Sequence, residues 1–214
     1  MTGIQMQYKT ISKEATVEME EKKSRFIANV KPVSSEEEAL EFINNIRAKY
    51  WDATHNVYAY YISGESIIQR FSDDGEPSGT AGMPVLEVIK RMELKDLVVV
   101  VTRYFGGILL GASGLVRAYS KSAALGIEAA GIVTKKLCRL INIVVDYSAF
   151  GKIQNKIMNE GYSIKDIQYA QDVEISVLIP LEDVNAFIEY VNDAANGNVL
   201  IDMGESEYVT LKFE

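Results

Sequence analysis

The sequence predicts an α+β protein built as two domains, and three observations carry that reading. Leu97 to Val101 is an uninterrupted apolar, mostly β-branched run, which suits a strand covered on both faces of a sheet. Residues 10–130 alternate strand-like and helix-like periodicity around that run, whereas residues from Lys136 repeat the order βαββαβ. Charge also changes along the chain. Residues 1–135 hold 16 Lys+Arg and 17 Asp+Glu, while residues 136–214 hold 6 and 13, within a total of −8. The expected division is therefore 1–133 and 134–214, with Gly131 to Lys136 as a short linker.

Taken in order, Thr10 to Glu20 alternates as a strand, Glu20 to Lys23 is polar enough to turn, and Ser24 to Val30 alternates again, which predicts a hairpin. Ser34 and Ser35 each precede a Glu by three residues, a capping-box pattern, and Leu40, Ile43, Ile46 and Tyr50 form the stripe of the helix that follows. Val57–Ile62 and Ile67–Phe71 read as strands joined at Ser63-Gly64-Glu65. Pro84 suits the first residue of a helix whose buried face is Val85, Leu86, Val88, Ile89 and Met92. After the central strand, a helix from about Leu115 with Ser113 as N-cap runs to Ala130, where Gly131 stops it. This order predicts a sandwich with its helices collected on one face. In the second part, Leu140–Val145, Tyr162–Gln171, Val173–Ile179 and Val199–Val209 are strands. Phe150–Glu160 and Leu181–Ala195 are helices, and the arrangement is ferredoxin-like.

The bulk numbers narrow the function. With 48% hydrophobic and 24% charged residues the chain has the composition of a soluble globular protein. Met1 to Tyr8 does not read as a signal peptide, and the charge-free stretch between Arg103 and Arg117 is too short and too glycine-rich to span a membrane, so a cytoplasmic protein with no membrane contact is expected. One cysteine, Cys138, provides no disulfide framework, and one histidine, His55, excludes a His–His pair.

Two loops concentrate the residues that could carry chemistry. The first runs from Asp73 to Gly82, and the second carries Gly106, Gly107, Gly111 and Gly114 between a strand and a helix. A strand, a glycine-rich loop and a helix in that order can present backbone N–H groups to an anion. The spacing is neither GxGxxG nor a P-loop. Arg103 ends the strand, Arg117 falls in the first helical turn if Ser113 caps it, and Lys121 lies four residues further on. A cation at a helix N-terminus and a like-charge pair at i,i+4 are both mildly unfavourable, which points to a compensating anion. That anion is either an internal carboxylate from Asp73, Asp74 or Glu76, or an external phosphate. The same three acids could instead hold Mg²⁺. Ser78 and Thr80 could donate hydroxyls, or simply shape the turn. His55 reads as a hydrogen-bonded structural histidine or as part of the site, and Lys22, Lys23 and Arg25 form a basic cluster at the hairpin.

Lys23-Ser24-Arg25-Phe26, Ala53-Thr54-His55-Asn56, the Asp73–Gly82 loop, Val101–Gly107, Leu110-Gly111 and Gly114–Tyr119 together resemble the IMPACT family in its bacterial two-domain type. Ser113 departs from the glycine more usual there. The resemblance implies a left-handed βαβ sandwich like elongation factor G domain IV, shared with GHMP kinases and a small-subunit ribosomal protein. For the second domain it implies a fold like elongation factor G domain V. It further implies contact with RNA or the ribosome, or with a protein partner in translational control. Eukaryotic members regulate translation initiation by competing for an activator of a stress kinase. They carry an additional N-terminal partner-binding domain, which a core beginning near Thr10 is expected to lack.

The favoured expectation is a translation-associated binding module with no cofactor. Its anion or nucleic-acid contacts would come from Lys23, Arg25, His55, Ser78, Thr80, Arg103, Gly106, Gly107, Gly111, Gly114, Arg117 and Lys121. The alternative is a Mg-dependent enzyme acting on a phosphorylated small molecule or nucleotide, with Asp73, Asp74 and Glu76 at the metal. Fold kinship with kinases is its main support.

Overall fold

The computed structural model describes residues 5–64 and 66–210. Residues 1–4 and Glu65, assigned above to the chain opening and to a turn, lie outside the described residues. The chain forms two compact units: residues 8–133, and residues 134–210 with residues 5–7. No helix among the described residues is long and apolar enough to cross a membrane.

The first unit starts with β1 (Gln7–Ile11) from Tyr8 on, β2 (Ala15–Glu21) and β3 (Ser24–Pro32). The single strand expected over Thr10–Glu20 is thus broken at residues 12–14. There the Ser12 N–H leaves the strand to donate to the Gly131 carbonyl at 2.7 Å, while β1 bridges to Leu94 through Lys9. Next come α1 (Glu36–Lys49), β4 (His55–Ser63), β5 (Ile67–Ser72), α2 (Gly82–Arg91), β6 (Leu97–Tyr104) and α3 (Ala112–Ala130). The sheet order is β2-β3-β6-β4-β5, antiparallel at every step, so β3 and β4 run parallel with β6 between them.

Leu97 to Val101 are each 0% exposed, as an apolar run in a doubly covered strand requires. The covering layers differ from the one-sided arrangement expected. Val99 and Val101 face α2 and α3, whereas Val98 and Val100 face α1 through Ala39, Phe42, Ile43 and Ile46. Alternation along β6 leaves two apolar faces, and each needs its own helix layer. α1 begins as its capping box predicts. Ser35 Oγ accepts from the Glu38 N–H at 3.2 Å, and the Glu38 carboxylate accepts from the Ser34 N–H at 2.7 Å.

The second unit contains β7 (Ile132–Val145) from Thr134 on, α4 (Tyr147–Asn159), β8 (Ser163–Tyr169), β9 (Val173–Pro180), α5 (Val184–Ala194) and β10 (Val199–Thr210). Its antiparallel strands run in the order β10-β7-β9-β8, the ferredoxin-like order. One sheet face packs on α4 and α5 through Ile141, Ile143, Ile153, Ile175, Phe187 and Val191. Asp146 caps α4, accepting from the Ala149 N–H at 2.9 Å.

Candidate functional site

The two loops meet at the end of the first sheet where β3 and β4 begin and β6 ends. Strand register places Phe26, Arg103 and His55 in one row there, because Arg103 pairs with Phe26 on one side and with His55 on the other. Arg103 is therefore carried into the interior and is only 5% exposed. Its guanidinium lies 5.5 Å from the Phe26 ring centre and 5.6 Å from that of Phe105.

Glu76, held in the interior by the Asp73–Gly82 loop, supplies the matching charge. Its Oε1 accepts from Arg103 Nη1 at 2.6 Å and from the Tyr119 hydroxyl at 2.8 Å. Burial, followed by the neighbouring Glu76 charge, pushes the Tyr119 hydroxyl well above the ordinary tyrosine range. Arg103 Nη2 reaches Ser24 Oγ at 3.4 Å, and that oxygen also accepts from the Gly106 N–H at 3.1 Å. This buried network ties both loops to the hairpin. It selects Glu76 as the internal carboxylate for Arg103, and it turns Arg103 away from any surface anion.

The other acids of the loop are also engaged. Asp73 accepts from the Gly79, Ala81 and Gly82 N–H groups at 2.9, 3.1 and 2.8 Å, which caps α2. Pro84 consequently sits at the third rather than the first helical position. Asp74 accepts from the Asn56 N–H at 2.6 Å and from Arg47 at 3.0 Å. The three carboxylates point to separate donors, and no group of His, Cys, Asp and Glu among the described residues could hold a metal ion. The Thr80 hydroxyl donates to the Pro77 carbonyl at 2.6 Å, the turn role, and Ser78 is exposed.

His55 Nδ1 lies 2.7 Å from the Asp74 carbonyl and therefore donates to it, which in the neutral ring makes Nε2 an acceptor. Nε2 is 3.9 Å from Glu76 Oε1. Arg25 is taken up locally, pairing with Glu18 at 2.8 Å and lying 5.3 Å from the Tyr104 ring centre. The hydrogen bond from Arg25 holds the Glu18 carboxyl below its ordinary range.

The glycines divide by cause. A Cβ on Gly106 would sit 2.0 Å from the Lys23 carbonyl, so the hairpin backbone itself excludes a side chain there. Gly114 packs against Leu110, while Gly107 and Gly111 take left-handed backbone next to open space. α3 starts at Ala112 with Gly111 in the cap position, not at Leu115 with Ser113 as cap. Arg117 is therefore the sixth helical residue, beyond the first turn, and the helix-dipole conflict expected of it does not arise.

Two clefts open at this end. One, of about 280 Å³, is lined by Lys22, Arg117 and Lys121 with Glu21, Leu110, Gly114 and Ala118. Lys22, Lys23, Arg117 and Lys121 are exposed, and none forms an ion pair with a described residue. The other, of about 410 Å³, lies over Thr54, His55, Glu76 and Arg103, and Phe105, Leu109 and Leu115 wall it. Leu109 of this rim is 82% exposed, and the sequence gives no sign of it because it lies within an apolar run.

Comparison with known proteins matches residues 22–127 to the Impact N-terminal domain, and residues 143–198 to a domain of unknown function (DUF1949). The chain is 45% identical over 202 residues to IMPACT family member YvyE of Bacillus subtilis, covering 94% of this chain and 93% of that one. The chain belongs to the IMPACT family. IMPACT family member YigZ of Escherichia coli is 32% identical over 86% of this chain and 91% of its own. Protein IMPACT of mouse is 37% identical over 44% of this chain and 31% of its own length. A solved structure titled as a hypothetical protein superposes with a TM-score of 0.61 at 29% identity, covering 94% of this chain and 99% of that one. In this IMPACT family member the first domain model spans both loops of the site.

Proposed function

We propose that this protein is a translation-associated binding module that contacts RNA, free or in the ribosome, through the loop end of its first unit. Membership of the IMPACT family supports the link to translation. The observation that carries the RNA reading is the set Lys22, Lys23, Arg117 and Lys121. These four cations, exposed and without an ion-pair partner among the described residues, include three that line one cleft of a chain whose net charge is −8. Unpaired lysine and arginine around a cleft suit phosphate oxygens, and neutralising phosphates releases counterions, so such binding weakens as salt rises. Arg103 has no part in this surface; it shapes the loops from beneath.

Co-sedimentation with purified ribosomes and with total RNA across a salt series tests the reading. Native protein binds at low salt and is released with a steep salt dependence. Arg117→Ala and Lys121→Ala each weaken binding and flatten the slope by about one phosphate contact. Native protein that stays in the supernatant at the lowest salt overturns the proposal.

A further inference from the structure

The two clefts share a wall. Leu110 lines both the basic cleft and the larger one over His55 and Glu76. On one side of it stand three unpaired cations, and on the other an apolar rim encloses a polar floor. The rim is open to water: Phe105 is 47% and Leu109 82% exposed. Its only lining cation, Arg103, is already bound to Glu76. The larger cleft is therefore unsuited to a phosphate and suited to something flat and largely apolar with a polar edge.

The floor has a definite hydrogen-bonding character. With Nδ1 donating to the Asp74 carbonyl, the neutral His55 ring offers Nε2 as an acceptor. Glu76 spends Oε1 on Arg103 and Tyr119, and no described donor reaches its other oxygen. Thr54 Oγ1 accepts from the Phe105 N–H, leaving its own proton available. His55 Nε2 and the second oxygen of Glu76, whose side chain is 3% exposed at the base of the cleft, stand beside one donor.

Resting on the RNA reading above, we infer that the larger cleft takes one unstacked nucleobase of a single-stranded RNA whose phosphates follow the basic cleft across Leu110. The base stacks on Phe105 and is covered by Leu109. Its exocyclic amino group donates to His55 Nε2 and Glu76. Adenine and cytosine carry that amino group at C6 or C4, where uracil sets a carbonyl oxygen against the acceptors.

Fluorescence anisotropy of the full chain with labelled oligoadenylate, oligocytidylate, oligouridylate and an abasic ribose-phosphate strand of equal length tests this. Oligoadenylate and oligocytidylate bind about tenfold more tightly than the uridylate and abasic strands. Leu109→Ala, at an exposed position that does not support the core, removes that advantage and leaves the abasic strand unaffected. Phe105→Ala does the same, whereas Arg117→Ala weakens all four strands by a common factor. Equal affinity for base-bearing and abasic strands, or for uridylate and adenylate, overturns the base pocket while the phosphate reading stands. Failure of every strand to bind at low salt overturns both.

Discussion

Among the described residues, the buried polar and charged side chains, from Thr10 to Ser122, all lie in the first unit, and most cluster beneath its two loops. The interior of the second unit is instead built from Ile141, Ile143, Ile153, Ile175, Phe187 and similar apolar groups, with ion pairs such as Lys136–Glu182 and Lys165–Glu207 left at its surface. The second unit is held by packing, which tolerates change as long as volume is kept. Around its loops the first is held by directed contacts, which require particular partners at particular positions. Tying loops down with Glu76, Arg103, Tyr119 and Asp73 gives the exposed groups above them fixed places, which a recognition surface needs.

The comparison is broken most severely at Glu76. Glu76→Ala leaves the Arg103 charge buried and unpaired, and a loss of about 3–5 kcal/mol is expected. Phe187→Ala in the second unit should lose about the same, through a cavity rather than a charge. Hydrogen exchange then separates the two, with protection falling in residues 8–133 for the first variant and in residues 134–210 for the second. A Glu76→Ala loss below about 1 kcal/mol in urea titration would contradict the directed-contact account.

Gly106→Ala comes next. The added carbon meets the Lys23 carbonyl at 2.0 Å, so the hairpin must move, at about 1–3 kcal/mol. Because Lys22 and Lys23 sit in that turn, the proposed RNA binding is expected to fall along with stability; unchanged binding would detach the basic cleft from the network below it.

The smallest effect sharpens the comparison through pH. Tyr119 titrates far above its ordinary value of 10.0 in the folded chain, so the stability it contributes is full below pH 10 and is lost as pH rises from there through the folded value. Tyr60, raised by burial and by its hydrogen bond to Glu36, acts in the same direction. Tyr119→Phe is expected to lose about 0.5–1.5 kcal/mol at neutral pH and to decline less steeply above pH 10. Identical alkaline slopes for the two proteins would place the Tyr119 hydroxyl outside the network.

Local pattern made much of the architecture legible. The buried run Leu97–Val101 within β6, the Ser35 cap, the helix stops and the order of elements in the second unit follow from periodicity and turn chemistry within a few residues of each position. The choice of Glu76 over Asp73 and Asp74 as partner of Arg103 was not legible. The two are 27 residues apart, and only the register of β3, β6 and β4 turns Arg103 inward to meet Glu76. Nor could spacing tell that α1 covers the opposite sheet face, or that α3 starts early enough to free Arg117 from its N-terminus. The sequence by itself determined which segments are helix and strand, where the two loops lie and which charges they carry, because those depend on near neighbours. Which charges cancel inside and which remain for a partner was decided by the tertiary structure. Ion pairing depends on where distant backbones converge, and a side chain's spacing along the chain does not report that.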